Sequence, residues 1–375
     1  MKPVTILYLC FLAPAYILSW SIGQGIPERK CLKDSLLVDS SFTELLLPKA
    51  AGEISGADGC VSIDLGNNQS LFLWGDSFLG KIDQDIKIPP LKFILGNTAT
   101  LLDQHGITQL YQGNLENPKA LFDVQKKHGK EMWYWPGDGI IDHNQLLLFM
   151  SKYSKKAGET GPFAFQYEGC DILLVDLKTF KIKKTIAFMP ADQRIHFGHA
   201  VLKDGQDLYV YGSKMNEERL TSDLHVMKIN MKPNAIKSKL FWDGTKWNSN
   251  PNQSQAILGI KKLVSEQFSI RKVANKIIFL TQDRLKVPGE IYSYLSMQPE
   301  GPFTEERLIY QIQEPNLERH KLFTYNAMLH PQIQKEDKIL MSYNINSYDE
   351  AIWWKYGSAY RPRFLWVPKT SFGLN

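Results

Sequence analysis

The chain has 375 residues, of which 43% are hydrophobic and 12% aromatic, which is enough apolar material to fill a sizeable core. The formal net charge of +5 is small, and the lysine pairs lie in short polar segments that read as solvated turns. The charge pattern therefore does not indicate nucleic-acid binding.

The first element in chain order is a hydrophobic N-terminus. Lys2 supplies one positive charge, residues 6–20 are almost entirely apolar, and small residues precede Gln24. This pattern is typical of a secretory signal peptide, so we predict a signal peptide at 1–23 and a secreted, periplasmic or cell-surface protein. The alternative is an N-terminal membrane anchor. No later segment is long and apolar enough to cross a bilayer, so we expect no stable membrane insertion after cleavage.

The cysteines carry little information. Cys31, Cys60 and Cys170 follow the predicted signal peptide at wide, irregular spacings. One disulfide among them and buried free thiols are both compatible with this pattern. No pair has the spacing of metal ligands.

A unit of two β-rich runs joined by a polar turn then recurs five times. Each copy has the turn chemistry and the Val, Ile, Tyr and Phe content of a β-hairpin. The five copies span residues 60–76, 139–151, 200–213, 268–282 and 327–344. A further strand-like run follows each copy, at 97–102, 171–176, 224–229, 291–295 and 363–367.

Such repetition predicts sheets arranged radially around a central channel, which leaves few open edges. We predict an all-β fold, a five-bladed β-propeller with four-stranded antiparallel blades, as a single domain over 24–375. Residues 81–96 and 153–169 are predicted to be long loops within that domain. The alternative is a two-sheet sandwich with coincidental hairpins.

In a propeller the residues just before each innermost strand face the mouth of the channel. Two copies carry the same pattern there, with glycine beside Asp58 in 56–59 and beside Asp138 in 136–139. A carboxylate flanked by glycine allows close approach of a ligand, although an Asp-Gly turn that bonds only local amides gives the same pattern. We predict Asp58 and Asp138 as catalytic carboxylates, with Glu266, just before the fourth copy, as a third candidate.

Other side chains near the predicted channel are candidates for substrate binding. Asp76 ends the first hairpin, or else caps a loop, and Trp135 belongs to an aromatic run that is either core or a platform for a sugar ring. The histidine pair of the third copy has no evident third metal ligand, so hydrogen bonding to a substrate hydroxyl is the simpler role. The predicted substrate-binding residues are Asp76, Trp135, His196, His199, Asn326 and His330.

Carboxylates, histidines and aromatic side chains around one mouth suit a carbohydrate. Glycoside hydrolysis needs one acid that protonates the leaving oxygen and one carboxylate that acts as base or nucleophile. No Gly-rich strand-to-helix loop occurs, so a nucleotide cofactor is not indicated, and no cofactor or metal is predicted.

Six short motifs in fixed order resemble a known family. They lie at residues 56–59, 74–80, 135–139, 325–331, 342–347 and 360–364. Together they resemble the secreted five-bladed β-propellers catalogued as a domain of unknown function and related to endo-D-arabinanases. The resemblance implies acidic residues in a central funnel, for which Asp58 and Asp138 are the best matches and Glu266 a weaker third. It also implies a furanose-containing or other polysaccharide as substrate.

The leading hypothesis is therefore a secreted glycoside hydrolase that acts on a polysaccharide or oligosaccharide through Asp58 and Asp138. The alternative is a non-catalytic propeller that binds glycan or protein.

Overall fold

The structure is a computed structural model. It describes residues 36–124, 130–161, 164–192, 194–216, 221–232, 235–283 and 285–374, so the predicted signal peptide and Cys31 lie outside the described residues. No helix within this part of the chain has the length and apolar character needed to cross a membrane. Cys60 and Cys170 are buried free thiols.

The first part of the chain forms one short helix and three sheets. Sheet one has the strand order β2-β3-β6-β7, a side sheet has the order β1-β4-β5, and β8 pairs with β9. The elements are α1 (Ser40–Leu46), β1 (Ile54–Ala57), β2 (Val61–Gly66), β3 (Gln69–Trp74), β4 (Ser77–Asp83), β5 (Ile86–Ile94), β6 (Thr98–Asp103), β7 (Gly106–Leu110), β8 (Gln112–Gly113) and β9 (Pro118–Lys119).

Sheets two and three follow as antiparallel meanders of four and five strands in chain order. Sheet two contains β10 (Met132–Asp142), β11 (Gln145–Lys155), β12 (Phe165–Val175) and β13 (Ile182–Met189). Sheet three contains β14 (His196–Asp204), β15 (Asp207–Asn216), β16 (Thr221–Lys232), β17 (Ala235–Trp242) and β18 (Trp247–Asn248). A 3-10 turn at Pro251–Gln253 follows.

Sheets four and five complete the chain with four and three strands. Sheet four contains β19 (Ser269–Val273), β20 (Lys276–Asp283), β21 (Glu290–Ser296) and β22 (Thr304–Gln311). Sheet five contains β23 (Leu322–Lys335), β24 (Lys338–Ser347) and β25 (Arg363–Pro368). The helix α2 (Glu350–Lys355) and a 3-10 turn at Gly357–Tyr360 connect β24 to β25, and another 3-10 turn follows at Lys369–Phe372.

The first strands of the five numbered sheets form a closed ring. β2 contacts β10, β10 contacts β14, β14 contacts β19, β19 contacts β23, and β23 contacts β2. The start of the described chain reinforces the closure, because Val38 bridges to Leu365 of β25 and Asp39 N donates to Phe364 O. The first and last parts of the chain thus meet in sheet five.

The hydrophobic core lies between neighbouring sheets. In β11, Leu146 and Leu148 pack toward sheet one, whereas Leu147 and Phe149 pack toward sheet three. Successive side chains of a strand point to opposite faces, so a strand buried on both faces needs a continuous apolar run. Three other clusters fill the spaces between sheets three and four, four and five, and five and one.

The all-β prediction is confirmed, and all five predicted hairpins are present as paired strands. The expectation of four strands in every sheet is not met, because sheets three and five have five and three strands. The predicted loop at 81–96 is wrong, since β5 runs through it at the edge of the side sheet. Prolines are tolerated at such an edge, where an N–H is not needed for pairing. The predicted loop at 153–169 is also shorter, since β11 and β12 extend into it.

Candidate active site

Asp58 and Asp76 lie side by side where the hairpin of sheet one meets the side sheet. Gly75 N donates to Asp58 O at 2.8 Å, and Asp58 N is 3.4 Å from Asp76 O. A Cβ on Gly75 would lie 2.3 Å from Asp58 Oδ1, and a Cβ on Gly59 would lie 2.9 Å from Gly75 N. Glycine at both positions is therefore required for the two aspartates to approach.

Each carboxylate of this pair has its own set of uncharged donors. Asp58 Oδ2 accepts a hydrogen bond from Tyr325 Oη at 2.9 Å, and the Tyr360 hydroxyl also donates to Asp58. Asp76 Oδ1 accepts from Trp135 Nε1 at 2.8 Å and from Gly96 N at 2.7 Å. Both aspartates remain partly exposed. The pair is thus held from sheets one, two and five.

Burial makes the ionised form of both carboxyls unfavourable. It raises the pKa of Asp58 to about 6, although the tyrosine hydrogen bonds oppose this shift. Burial and the nearby charge of Asp58 raise the pKa of Asp76 to about 7. Two carboxyls that interact this way lose their protons in separate steps, so around neutral pH one carries a proton while the other is charged.

The two tyrosines act as hydrogen-bond donors to Asp58. Burial, followed by the charge of Asp58, raises the pKa of both Tyr325 and Tyr360 well above the usual value. They therefore stay protonated and orient the carboxylate. Both tyrosines belong to the short sequence motifs at 325–331 and 360–364, but their positions in the chain do not reveal that they meet Asp58.

An unsatisfied amide lies on the strand next to Tyr325. Asn344 is paired with Tyr325 across β23 and β24 and is fully buried. Neither side-chain atom of Asn344 has a hydrogen-bond partner among the described residues. Strand alternation puts it on the same face as Asn346, which hydrogen-bonds to the Tyr325 hydroxyl. A buried amide of this kind calls for a water molecule or a ligand as its partner.

Asp138, predicted as the catalytic partner of Asp58, lies in a different set of contacts. Its carboxylate is 1% exposed and forms a two-pronged ion pair with Arg271, at 2.5 Å and 3.0 Å. Val201 N and Gly139 N also donate to it, each at 2.8 Å. Asp138 thus links sheets two, three and four, and the structure brings Asp76, rather than Asp138, to Asp58.

Two other candidates, Glu266 and Asn326, lie close to the neighbouring strands β19 and β23, with Asn326 inside β23. Glu266 is partly exposed just before β19. The adjacent Gln267 accepts a hydrogen bond from Asn326 Nδ2 through its Oε1 atom. Asn326 adopts a left-handed backbone conformation with φ of 51° where the β23 register shifts, which fits asparagine better than most residues. The roles predicted for both residues stay predictions.

His196 and His199 lie together at the start of β14. Both are buried, and their ring centroids are 4.3 Å apart. His196 Nε2 lies 2.8 Å from Ser151 Oγ, whereas neither ring nitrogen of His199 has a hydrogen-bond partner within the described part of the chain. Burial lowers the pKa of His199 to about 3 and, together with His199, lowers that of His196 well below its usual value. Neutral imidazoles of this kind suit hydrogen bonding to a hydroxyl.

His330 is fully buried and bonded through both ring nitrogens. Nδ1 lies 2.6 Å from Ser62 Oγ and Nε2 lies 2.8 Å from Ser342 Oγ. Burial, followed by the charge of Arg271, lowers its pKa to about 3. His330 therefore links sheets one and five as a neutral group. Across the residues that the structure describes, no three His, Cys, Asp or Glu side chains are grouped to hold a metal ion.

Comparison with known proteins places the chain in a family and a fold. Residues 39–369, most of the chain, match the family described as a domain of unknown function, DUF5005. No curated protein matches the sequence.

Among solved structures, a protein from Bacteroides ovatus ATCC 8483, provisionally described as a hydrolase, superposes with a TM-score of 0.70 at 15% identity. The match covers 91% of this chain and 93% of that one, so the two share a fold. An α-L-arabinofuranosidase from Podospora anserina matches at 10% identity and a TM-score of 0.46, over 86% of this chain and 95% of that one. An endo-arabinase from Bacteroides thetaiotaomicron VPI-5482 matches at 10% identity and a TM-score of 0.45, over 85% and 96%.

Proposed function

The chain belongs to the DUF5005 family, and from its own side chains we propose that it is a glycoside hydrolase acting on a polysaccharide. The observation that carries this proposal is the pair Asp58 and Asp76: burial raises the pKa of both carboxyls toward neutrality, and the charge of Asp58 raises that of Asp76 further. Glycoside hydrolysis needs two carboxyl groups of which one is protonated and one ionised, and such a pair supplies that combination.

The two aspartates take different roles in this proposal. Asp76, with the higher pKa, is the general acid that protonates the leaving oxygen. The donors Trp135 and Gly96 both bind its Oδ1 atom, so Oδ2 is the atom that carries the proton. Asp58 is the base or nucleophile, oriented by Tyr325 and Tyr360.

Asp138 and Glu266 were predicted to be catalytic, and substitution tests them in the same assay. The Arg271 ion pair supports a positioning role for Asp138, because its oxygens are already bonded.

The number of blades, the cellular location and the substrate belong to the same proposal. The closed ring of first strands supports reading the five sheets as the blades of a five-bladed β-propeller. The N-terminal sequence supports export to the periplasm, the cell surface or the medium. The motif resemblance supports an arabinofuranose-containing polysaccharide as the first substrate to test.

The test is hydrolysis of arabinan, arabinoxylan and xylan. The reducing sugar that is released is measured over a long incubation. We expect wild-type cleavage of at least one of these, and loss of about three orders of magnitude or more in Asp58→Asn and in Asp76→Asn. Thermal unfolding of each variant serves as the folding control. Wild-type rates in both variants would remove the pair from the mechanism.

The second candidate is a non-catalytic glycan-binding protein. The observation in its favour is that the Asp58 carboxylate already accepts hydrogen bonds from two tyrosine hydroxyls, which compete with a substrate for its oxygens. Calorimetric binding of one of the same glycans by the wild-type protein, without any product after days, would decide for this candidate.

A further inference from the structure

Aromatic side chains of sheet two approach the acidic pair from one side. We call Trp135, Tyr153 and Phe165 the Trp135 cluster. The Trp135 ring centroid lies 4.5 Å from that of Tyr153 and 4.7 Å from that of Phe165. All three are partly exposed, and the indole donates to Asp76. This cluster therefore presents apolar ring surface directly beside one carboxyl of the pair.

A second group lies on sheet five. We call Phe323, Tyr325 and Tyr348 the Tyr348 cluster. The Phe323 centroid lies 5.4 Å from that of Tyr325 and 4.5 Å from that of Tyr348, and Tyr348 is 54% exposed. Tyr325 donates to Asp58, so this cluster adjoins the other carboxyl of the pair.

The two clusters flank the pair. β10 of sheet two and β23 of sheet five contact β2 of sheet one, which carries Asp58 just before its first residue. The pair on sheet one thus lies between a cluster on each neighbouring sheet. A ligand that contacts both clusters would therefore lie next to Asp58 and Asp76.

The groups that hold the pair indicate the charge of such a ligand. Its donors are the indole of Trp135, the amide N–H of Gly96 and two tyrosine hydroxyls, all uncharged. A uronate placed beside two carboxyls would meet like charge without a compensating cation from these donors. Exposed rings next to hydroxyl and amide groups instead match the apolar faces and hydroxyl edges of neutral sugars.

We propose that a neutral glycan chain lies across both clusters, with sugar residues on each side of the acidic pair, so that cleavage occurs within the chain. This inference rests on the proposed hydrolase function for the cleavage step, while the binding mode stands on the two clusters alone.

The test uses ring deletions that leave the hydrogen bonds of the pair in place. Phe165→Ala removes one ring from the Trp135 cluster, and Tyr348→Ala removes one ring from the Tyr348 cluster. The matched control is Trp247→Ala, which removes a partly exposed ring from the outer strand of sheet three. The probes are debranched arabinan, its oligosaccharides of about two to eight units, an aryl arabinofuranoside and polygalacturonate.

We expect kcat/KM on the longest oligosaccharide to fall about tenfold in each cluster variant, the order expected for one aromatic contact, and to be unchanged in Trp247→Ala. The aryl substrate should be affected much less. Early products from the polymer should be mixed oligosaccharides. Polygalacturonate should neither bind nor be cleaved.

Binding separates the inference from the hydrolase proposal. In the Asp58→Asn/Asp76→Asn variant, calorimetry should show affinity that rises with oligosaccharide length and that falls with either ring deletion. That result without wild-type hydrolysis would reject the hydrolase and retain the binding mode. The inference would be overturned if hydrolysis released only single sugars and if its rate did not change when one of the two clusters lost a ring. The hydrolase proposal would survive that result.

Discussion

Replacing Asp76 by Asn should stabilise the fold at neutral and alkaline pH. Asn keeps an oxygen that accepts from Trp135 and Gly96, but it removes a charge that the site disfavours. Because burial and the charge of Asp58 raise the pKa of Asp76 from 3.8 to about 7, ionising it in the folded protein carries a free-energy cost that the unfolded chain does not have.

The size of this effect follows from the shift. Each pKa unit corresponds to about 1.4 kcal/mol, so a shift of roughly three units sets an upper limit of about 4 kcal/mol. Partial exposure and the sharing of the penalty with Asp58 reduce this, and we expect about 2 to 3 kcal/mol at pH 8.5.

The sign and the pH window are fixed by the same shift. Since the folded pKa lies above the unfolded value, the folded protein binds more protons between about pH 4 and pH 7, and stability falls as pH rises through that range. At pH 4 Asp76 is neutral in the folded protein and only about half ionised in the unfolded chain, so Asp76→Asn and wild type should differ little in stability there. The difference in the free energy of unfolding between Asp76→Asn and wild type should grow with rising pH and become constant above pH 8.

The assay is urea unfolding of both proteins at pH 4 and pH 8.5, monitored by intrinsic fluorescence. Asp142→Asn is the matched control with the opposite sign. Burial opposes ionisation of Asp142, but hydrogen bonds from Lys203 and His143 outweigh it and lower its pKa, so that variant should lose stability at pH 8.5. An Asp76→Asn variant that is less stable than wild type at pH 8.5 would refute the argument.

Three further predictions concern groups around the ring. Asp138→Asn leaves Arg271 without its anion and should reduce stability by about 3 kcal/mol in urea unfolding, whereas a purely catalytic Asp138 would lose only activity. Trp135→Phe removes a hydrogen-bond donor that favours ionised Asp76, so the pKa of Asp76 should rise. The alkaline limb of the pH profile of kcat/KM should then shift to higher pH by as much as about one unit. An unchanged limb would argue against Asp76 as the acid. Asp39→Ala removes the α1 cap to Phe42 N and should lower thermal stability by about 1 kcal/mol or more, with an unaltered melting curve contradicting that role.

The strands were largely predictable because their burial is simple. Strands such as β11 are apolar on both faces, and polar turns mark their ends. The side sheet was not predictable, because Pro89 and Pro90 in β5 argue against a strand unless its edge position is known. The closure through Val38 and Leu365 joins distant parts of the chain and leaves no local pattern.

The pairing of Asp58 with Asp76 was within reach of the sequence. In the first hairpin Val61 faces Leu73, so residues just before Val61 lie beside residues just beyond Leu73. Carrying that register three positions further places Asp58 beside Asp76, and the glycines at 59 and 75 are placed where the two chains approach. The repeated Asp-Gly pattern indicates Asp138 as the partner instead, whereas hairpin register pairs Asp58 with Asp76 of the same hairpin.

Asp58 and Asp138 show why a local pattern locates a carboxylate without fixing its chemistry. Asp58 precedes β2 and Asp138 lies inside β10, each close to glycine, but their electrostatic surroundings are opposite. Arg271, from a sheet two positions further around the ring, neutralises Asp138 and uses both of its oxygens. Asp58 meets tyrosine hydroxyls, backbone N–H groups and a second carboxyl, so no cation offsets its burial and its pKa rises to about 6. Which groups surround each aspartate is therefore decided by the sheets that face it across the ring, and no single repeat contains that information.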